Sequence, residues 1–168
     1  MGAASVRILG IDPGLQKTGW GIVESQGSAL RYIGSGLIRT NSKEALSLRL
    51  AQLHYGLLTV IDEFAPHEAA IEETFVNKNP ASALKLGQAR GALLTVPAIK
   101  GLSVDEYGAN KVKKSVVGTG HASKDQIGMM IKTLLPACGT ISEDEADALA
   151  VAITHAHYRV MSKSLLGA

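Results

Sequence analysis

Four acidic side chains in this sequence have the type and spacing that metal-assisted chemistry needs. They are Asp12 at the end of the apolar run VRILGID, Glu72 near the end of EAAIEE, and Asp144 and Asp147 in EDEADALA. The last two are three residues apart, a spacing that places both on one face of a helix. Carboxylates that converge without obvious basic partners repel one another, which raises their pKa values or requires a cation. Oxygen ligands of this kind predict a Mg²⁺ site rather than a zinc site.

Each of these acids also has an ordinary structural explanation. An aspartate before Pro-Gly, as at Asp12, most often accepts backbone N–H hydrogen bonds within a turn. Acids in the first turns of a helix complement the helix dipole, which would account for Asp144 and Asp147. Glu72 lies at the end of a predicted strand, where solvated charge is common. The functional interpretation therefore depends on whether the fold brings the four acids to one place.

The order of the structural elements follows from the hydrophobic pattern. Alternating apolar residues bounded by turn formers predict strands, and apolar residues at intervals of three or four predict helices. The predicted strands are Val6–Asp12, Gly19–Ser25, Leu30–Arg39, Glu68–Glu73 and 102–107. The predicted helices span 46–64, 80–96, 124–134 and about 143–161. This order predicts a layered α/β domain with a mixed sheet, whose strands carry Asp12 and Glu72 at the carboxyl ends, where such sheets bind ligands.

Length and composition predict a single domain. With 168 residues, 46% of them hydrophobic, the chain is long enough for one well-buried core and too short for two full-sized domains. The single cysteine, Cys138, excludes an internal disulfide and a cysteine-based metal site, and we expect it to be a small buried residue. The sequence has no apolar run long enough to span a membrane and no signal-peptide pattern, so we expect a soluble cytoplasmic protein.

Positive charge is concentrated in the middle of the chain. Residues 76–132 hold nine Lys and Arg against three Asp and Glu, although the net charge of the whole chain is only +2. A solvated face explains such a segment as readily as a charged partner does. With a nucleic acid as partner, Lys78, Lys85, Arg90 and the lysines of 111–124 would neutralise phosphates, and binding would weaken steeply with salt.

Four segments together resemble the RuvC family of bacterial Holliday junction resolvases, from about Arg7 to Tyr158. They are ILGIDPGLQKTGWGIV, AIEETFVNKNPASALKLGQARG, VKKSVVGTGHASKDQI and DEADALAVAITH. The resemblance implies a ribonuclease H-like fold, a five-stranded mixed sheet flanked by helices on both faces, forming one nuclease domain over 1–168 with an ordered core of about 6–160. It also implies a homodimeric, Mg²⁺-dependent endonuclease of DNA recombination and repair. Such an enzyme cuts two strands of like polarity symmetrically at a four-way junction, with the branch-migration proteins RuvA and RuvB as partners.

The resemblance also assigns roles to individual residues. The family's catalytic and metal-binding acids match Asp12, Glu72, Asp144 and Asp147, around two Mg²⁺ ions for which Mn²⁺ would substitute. From the chemistry of two-metal hydrolysis, Asp12 would bridge or nearly bridge the ions, Glu72 and Asp147 would complete the cage, and Asp144 would be a further ligand or position water. The aromatic residue that the family inserts at the junction centre matches Phe75. The predicted DNA contacts are Phe75, Lys78, Lys111, Lys113, Lys114, His121 and Lys124, of which Lys113 and Lys124 match the family's phosphate-contacting lysines.

Other interpretations of the same residues stay open. Phe75 could be a core aromatic, and the small residues of the helix after Pro80 could pack against the sheet as well as across a two-fold axis. His121, His155 and His157 are expected at the surface or beside phosphate. Two other functions also fit parts of the pattern. A sugar-kinase or actin-type ATPase shares the Gly-Ile-Asp-x-Gly strand but needs two such domains, and a non-catalytic junction-binding module would not need the intact carboxylates.

Overall fold

The strands of this protein form one mixed sheet. The structure is a computed structural model that describes residue 2, residues 4–73 and residues 79–166. The sheet of the described residues contains β1 (Val6–Asp12), β2 (Lys17–Gln26), β3 (Ala29–Arg39), β4 (Glu68–Glu73) and β5 (Ser103–Gly108), in the order β3-β2-β1-β4-β5. The first three strands are an antiparallel meander, and β4 and β5 run parallel to β1. The five-stranded mixed sheet predicted from the sequence is confirmed.

Helices cover both faces of this sheet. The helices are α1 (Leu46–Phe64), α2 (Pro80–Ile99), α3 (Ala109–Val117), α4 (Lys124–Leu134) and α5 (Glu143–Leu166). Successive residues of β1 point to opposite faces, so Leu9 and Ile11 pack in one core with α1 and α2. Ile8 packs in a second core with α3, α4 and α5. Within the described ranges, no helix is long and apolar enough to cross a membrane.

Helix α5 lies unusually close to the central strands because glycines face it. A Cβ atom on Gly10 would collide with the carbonyl oxygen of Ala148, and one on Gly19 would collide with that of Asp144. Both glycines point to the α5 side of the sheet. Gly10 lies two residues after Ile8 and so faces the same core, and Gly19 lies opposite Asp12, which faces that core too. The absence of a side chain therefore lets the first turns of α5 rest directly over the ends of β1 and β2.

The structure differs from the sequence prediction in several boundaries and in one element. Helix α3 was not predicted, because it has only nine residues and buries only Val112 and Val116, too few to establish a helical period. Strand β2 begins at Lys17, two residues earlier than expected, where it pairs with Arg39. Helix α2 continues through Pro97 to Ile99 rather than ending near residue 96. Cys138 is buried, as expected.

Candidate active site

Strand pairing brings Asp12 and Glu72 side by side. In the parallel pair of β1 and β4, Ile8 lies opposite Glu68 and Ile11 lies opposite Ile71. One step further, Asp12, the last residue of β1, and Glu72, the residue before the last of β4, are neighbours at the carboxyl edge of the sheet. Because side chains alternate along a strand, Asp12 points to the same face as Ile8, the face that α5 covers. The two carboxyl groups are close enough to share a hydrogen bond.

The first turns of α5 bring the other two acids to the same place. Asp144 and Asp147 line one cavity with Asp12 and Glu72, and its volume is about 510 Å³. Three lysines also line this cavity: Lys17, Lys113 and Lys124. The four acids singled out in the sequence therefore surround a single open space at the edge of the sheet, together with positive charge.

Burial makes this cluster electrostatically unfavourable in its fully charged form. Burial is the largest cause that raises the pKa of Asp12 above its usual range, and the charges of Glu72, Asp147 and Asp144 raise it further. Burial also raises the pKa of Glu72, with the charge of Asp147 adding to the effect. The pKa of Asp147 is raised by burial against the opposing charge of Lys124. Added positive charge, from a proton, an ammonium group or a metal ion, would relieve this repulsion.

The expectation that the acids lack basic partners is wrong. The Nζ atom of Lys17 lies 2.7 Å from Oδ2 of Asp144. The Nζ atom of Lys124 lies 3.0 Å from Oε1 of Glu143 and 3.6 Å from Oδ2 of Asp147. The hydrogen bond to Glu143 is the main cause that raises the pKa of Lys124. Two of the four acids are therefore partly neutralised by lysines that the strand and helix ends supply.

Lys17 is a charged cavity residue that the sequence analysis missed. It was assigned to the turn before β2, whereas it is the first residue of that strand. Strand alternation places Lys17 on the same face as Gly19 and Gly21, both of which approach α5. The sequence does hold a signal for this placement. Lys17, Gly19 and Gly21 are spaced by two, so they share one face of the strand that pairs with Asp12.

The cavity suits a divalent cation in donor chemistry, without being a closed cage. All four acidic donors are carboxylate oxygens, the ligands that hard divalent ions prefer. Among the residues that the structure describes, no three His, Cys, Asp or Glu side chains converge tightly enough to hold a metal ion as they stand. Asp144 and Asp147 instead point towards lysine ammonium groups. Metal binding would therefore require these carboxylates to exchange their partners.

The predicted DNA contacts are divided between the cavity and its surroundings. Lys113 and Lys124 line the cavity. Lys111 lies outside that lining, with Nζ 4.2 Å from the ring centre of Tyr158. Lys114 and His121 are exposed to solvent. The two remaining predicted contacts, Phe75 and Lys78, lie outside the described residues.

The expected surface position of His155 is wrong. This side chain is buried, with Nδ1 2.9 Å from the hydroxyl of Tyr107 and Nε2 2.8 Å from Oε2 of Glu68. The side chain of Arg159 also donates to Glu68, at 2.7 Å. His155 lies on the inner face of α5, so its polar atoms find partners on β4 and β5 instead of solvent. Of the other histidines, His121 is exposed, while His157 is half-buried beside Ser115.

The sequence of residues 8–155 matches the family described as crossover junction endodeoxyribonuclease RuvC. The chain belongs to the RuvC family. The RuvC protein of Paramagnetospirillum magneticum is 59% identical over 160 residues, which cover 95% of this chain and 96% of that relative. The RuvC chain in the structure "T. thermophilus RuvC in complex with Holliday junction substrate" has 33% sequence identity and a TM-score of 0.87, over 94% of this chain and 96% of that one.

A more distant structure supports the fold alone. The yeast mitochondrial Holliday junction resolvase has 12% sequence identity and a TM-score of 0.69, over 98% of this chain and 86% of that one. The ribonuclease H-like fold expected from the resemblance is confirmed by these neighbours. This RuvC chain is a crossover junction endodeoxyribonuclease, so neither the ATPase nor the non-catalytic module describes it.

Proposed function

We propose that this chain resolves four-way DNA junctions, in recombination and repair, by Mg²⁺-dependent hydrolysis of two strands of like polarity. Asp12, Glu72, Asp144 and Asp147 are its catalytic and metal-binding residues. One observation carries this assignment: the four acids line a single cavity, and burial raises the pKa of Asp12, Glu72 and Asp147. Such a site gains from binding cations, and its lysines gain from binding phosphate.

Each side chain has a defined task in this proposal. Asp12 and Glu72 hold metal at the end of the sheet, and Asp144 and Asp147 close the site from α5. Two Mg²⁺ ions bound there, or Mn²⁺ in their place, would supply an activated water and stabilise the departing 3′ oxygen. Lys113 and Lys124 neutralise the phosphate at the mouth of the cavity.

The remaining predicted contacts would extend the DNA surface beyond the cavity. Lys111 and Lys114 project from the helix that also carries Lys113, and His121 lies between α3 and α4. Phe75, by family resemblance, and Lys78, by the positive charge of residues 76–132, complete this set. An aromatic side chain at the junction would stack on an unpaired base, a contact worth roughly 1–3 kcal/mol.

The amide variants Asp12→Asn and Glu72→Gln test the site. We expect each to abolish Mg²⁺-dependent cutting of a synthetic four-way junction while junction binding in a gel-shift assay stays close to wild type, because the amides keep the shape and lose the charge. A linear duplex is the substrate control. Asp62→Asn is the protein control, since Asp62 pairs with Lys100 on the surface. Loss of binding as the main defect would contradict the assignment.

Symmetric cutting requires two active sites, which supports a homodimer with α2 at the interface. Gly87 and Gly91 are one turn apart on the exposed side of α2, and no atom of the described residues beyond the local helix would contact a Cβ at either position within 4 Å. Glycine inside a helix costs roughly 0.5–1 kcal/mol relative to alanine. Ala89 is buried in the core that α1, α2 and the sheet share, so internal packing explains that residue but not the two glycines. A second copy of α2 would explain them, because glycines allow helices to approach closely.

The wider setting is proposed from family membership. We propose that residues 1–168 form one nuclease domain that works in the bacterial cytoplasm with RuvA and RuvB. The excess of positive charge in residues 76–132 supports an assembly in which this chain and its partners are bound to DNA. Junction cutting by the purified protein, with RuvA and RuvB added in turn, measures whether these partners change the rate or the position of cleavage.

A further inference from the structure

Lys17 reaches from the first residue of β2 into the cavity of the four acids. Its ammonium Nζ lies 2.7 Å from Oδ2 of Asp144, the distance of a direct charge-assisted hydrogen bond. The Lys17 side chain is 47% exposed and that of Asp144 is 23% exposed. The contact therefore lies at the rim of the cavity, with the carboxylate on the inner side.

This contact differs from the other lysine contacts in the cavity. Lys124 approaches Asp147 only to 3.6 Å and is shared with Glu143. Lys113 lines the cavity without an ion pair to any carboxylate among the described residues. Asp144 is thus the cavity acid with one close ammonium partner of its own.

A lone pair of Oδ2 that accepts from the Lys17 ammonium group is not available to a metal ion at the same time, and the ammonium charge lies beside the place where the ion would bind. We propose that Lys17 is an internal counter-cation of the active site, which pairs with Oδ2 of Asp144 in the metal-free protein and competes with a divalent ion for that carboxylate. Lys17 is a positioning residue in this role, because it acts through Asp144. Since Asp144 is a metal ligand only under the proposed function, the role of Lys17 rests on that proposal.

The consequence is an opposed pair of effects at one oxygen. Lys17 lowers the repulsion among the four carboxylates when no metal ion is present, which stabilises the empty cavity. The same contact weakens metal binding, because the ammonium group competes with the ion for Oδ2 and repels it by its charge. A half-exposed ion pair of this kind has a modest strength, equivalent to roughly a two- to fivefold change in affinity.

Lys17→Met removes the ammonium group and keeps the length of the side chain. We expect this variant, without DNA, to bind Mn²⁺ roughly two- to fivefold more tightly than wild type in calorimetry or in an electron paramagnetic resonance titration. Lys17→Arg keeps the charge, so its affinity should stay close to wild type. Unchanged or weaker Mn²⁺ binding by Lys17→Met would overturn the proposal.

Two matched variants separate the contact from a general loss of positive charge. Lys113→Met removes one charge from the same cavity, and its effect should be smaller and should decline more with added salt, since it acts at longer range. Lys100→Met removes a surface ion pair of similar geometry, 2.6 Å from Oδ1 of Asp62, and should leave Mn²⁺ affinity unchanged. An effect of Lys113→Met equal to that of Lys17→Met, with the same salt dependence, would refute a specific role for Lys17.

Asp144→Asn distinguishes failure of this role from failure of the metal site. If Asp144→Asn weakens Mn²⁺ binding and abolishes the additional effect of Lys17→Met in the double variant, the two residues act on the same oxygen. If Asp144→Asn weakens binding but Lys17→Met still acts at full strength beside it, the role of Lys17 is wrong and the metal site stands. If Asp144→Asn leaves Mn²⁺ binding unchanged, Asp144 is no ligand and both statements fail.

Discussion

Under the proposed function, Asp12 serves the reaction at a cost to the fold. Its carboxyl group is buried at the end of β1 beside Glu72, and both burial and neighbouring charge raise its pKa. In the unfolded chain the same group ionises near the usual pKa of about 3.9. From about pH 4 upward the unfolded chain gains free energy by ionising Asp12 while the folded state holds the group protonated, so the metal-free protein loses stability until the pH passes the raised pKa of about 9.

Replacing that carboxylate should make the metal-free protein more stable. We expect Asp12→Asn to raise the thermal midpoint in EDTA at pH 8, by about 2–4 °C for each kcal/mol recovered in a domain of this size. The gain should shrink towards pH 4, because there wild-type Asp12 is protonated in the unfolded chain as well as in the folded state, so that burying its carboxyl group no longer costs the energy of ionisation. Scanning calorimetry across this pH range measures it. Asp62→Asn, at an exposed ion pair, is the control and should move the midpoint little. A lower midpoint for Asp12→Asn at pH 8 would contradict the electrostatic picture.

Among the elements, α5 has the most demanding task, because its first turns hold two of the four acids. Gly10 and Gly19 allow it to rest on the sheet, and further along the helix His155 bonds to Tyr107 on β5 and Glu68 on β4. Close contact between its backbone and the glycines of the sheet therefore fixes the first turns of α5, and the hydrogen bonds of His155 fix the helix further along. Its position relative to β1 and β4 sets the geometry of the cavity.

Gly10→Ala should displace α5. The added methyl group would collide with backbone atoms of Ala148 and Ala152, which cannot rotate away. We expect a loss of stability of about 1–3 kcal/mol, as for other overpacked sites, and a lower cleavage rate. Gly128→Ala on α4 is the matched control, because no atom of the described residues beyond the local helix lies within 4 Å of a Cβ there, and helix propensity should stabilise it slightly. Urea unfolding measures the stability of both variants, and a junction-cutting assay measures their cleavage rates. An unchanged cleavage rate for Gly10→Ala would contradict the prediction, because it would show that the cavity tolerates the displacement of α5.

The elements also show what the sequence could and could not predict. The four acids were found because strand ends and a helix start are visible in hydrophobic patterns, and because the RuvC resemblance covered the same segments. Lys17 was missed because its face depends on where β2 begins, and turn formers hid that boundary. The burial of His155 depends on partners from two strands far along the chain, which no local periodicity encodes.

For the whole molecule, the question is how one cavity per chain produces two symmetric cuts. The outward glycines of α2 and the exposed Leu84, 66% accessible, mark the surface that a second copy would cover. A dimer through α2 would fix the distance and direction between the two cavities. Cutting of paired strands would then be a property of the assembly, while hydrolysis of one bond would remain a property of the chain.

A bulky residue in the proposed interface should separate these two properties. We expect Gly91→Leu to shift the mass measured by light scattering from dimer towards monomer, because the side chain blocks close helix approach. Paired cuts on a four-way junction should decline more than single nicks. The leucine should not clash within the chain, since the position is open, so the metal-free thermal midpoint should not fall for that reason. Gly128→Leu, at an open position on α4, is the control for a larger helix side chain. Wild-type mass and wild-type paired cutting in Gly91→Leu would rule out this surface.

Gly10 and Asp12 lie two residues apart on β1, and their different relations to the fold have a consequence for evolution. Gly10 is required for α5 to pack, whereas Asp12 is a buried acid whose raised pKa costs the metal-free protein stability. In a library of variants selected only for heat resistance or expression, position 10 would stay glycine while position 12 would drift to neutral residues. Under the proposed function, only selection for junction cutting would keep the aspartate, so the two screens together would measure how much each position contributes to folding and to activity.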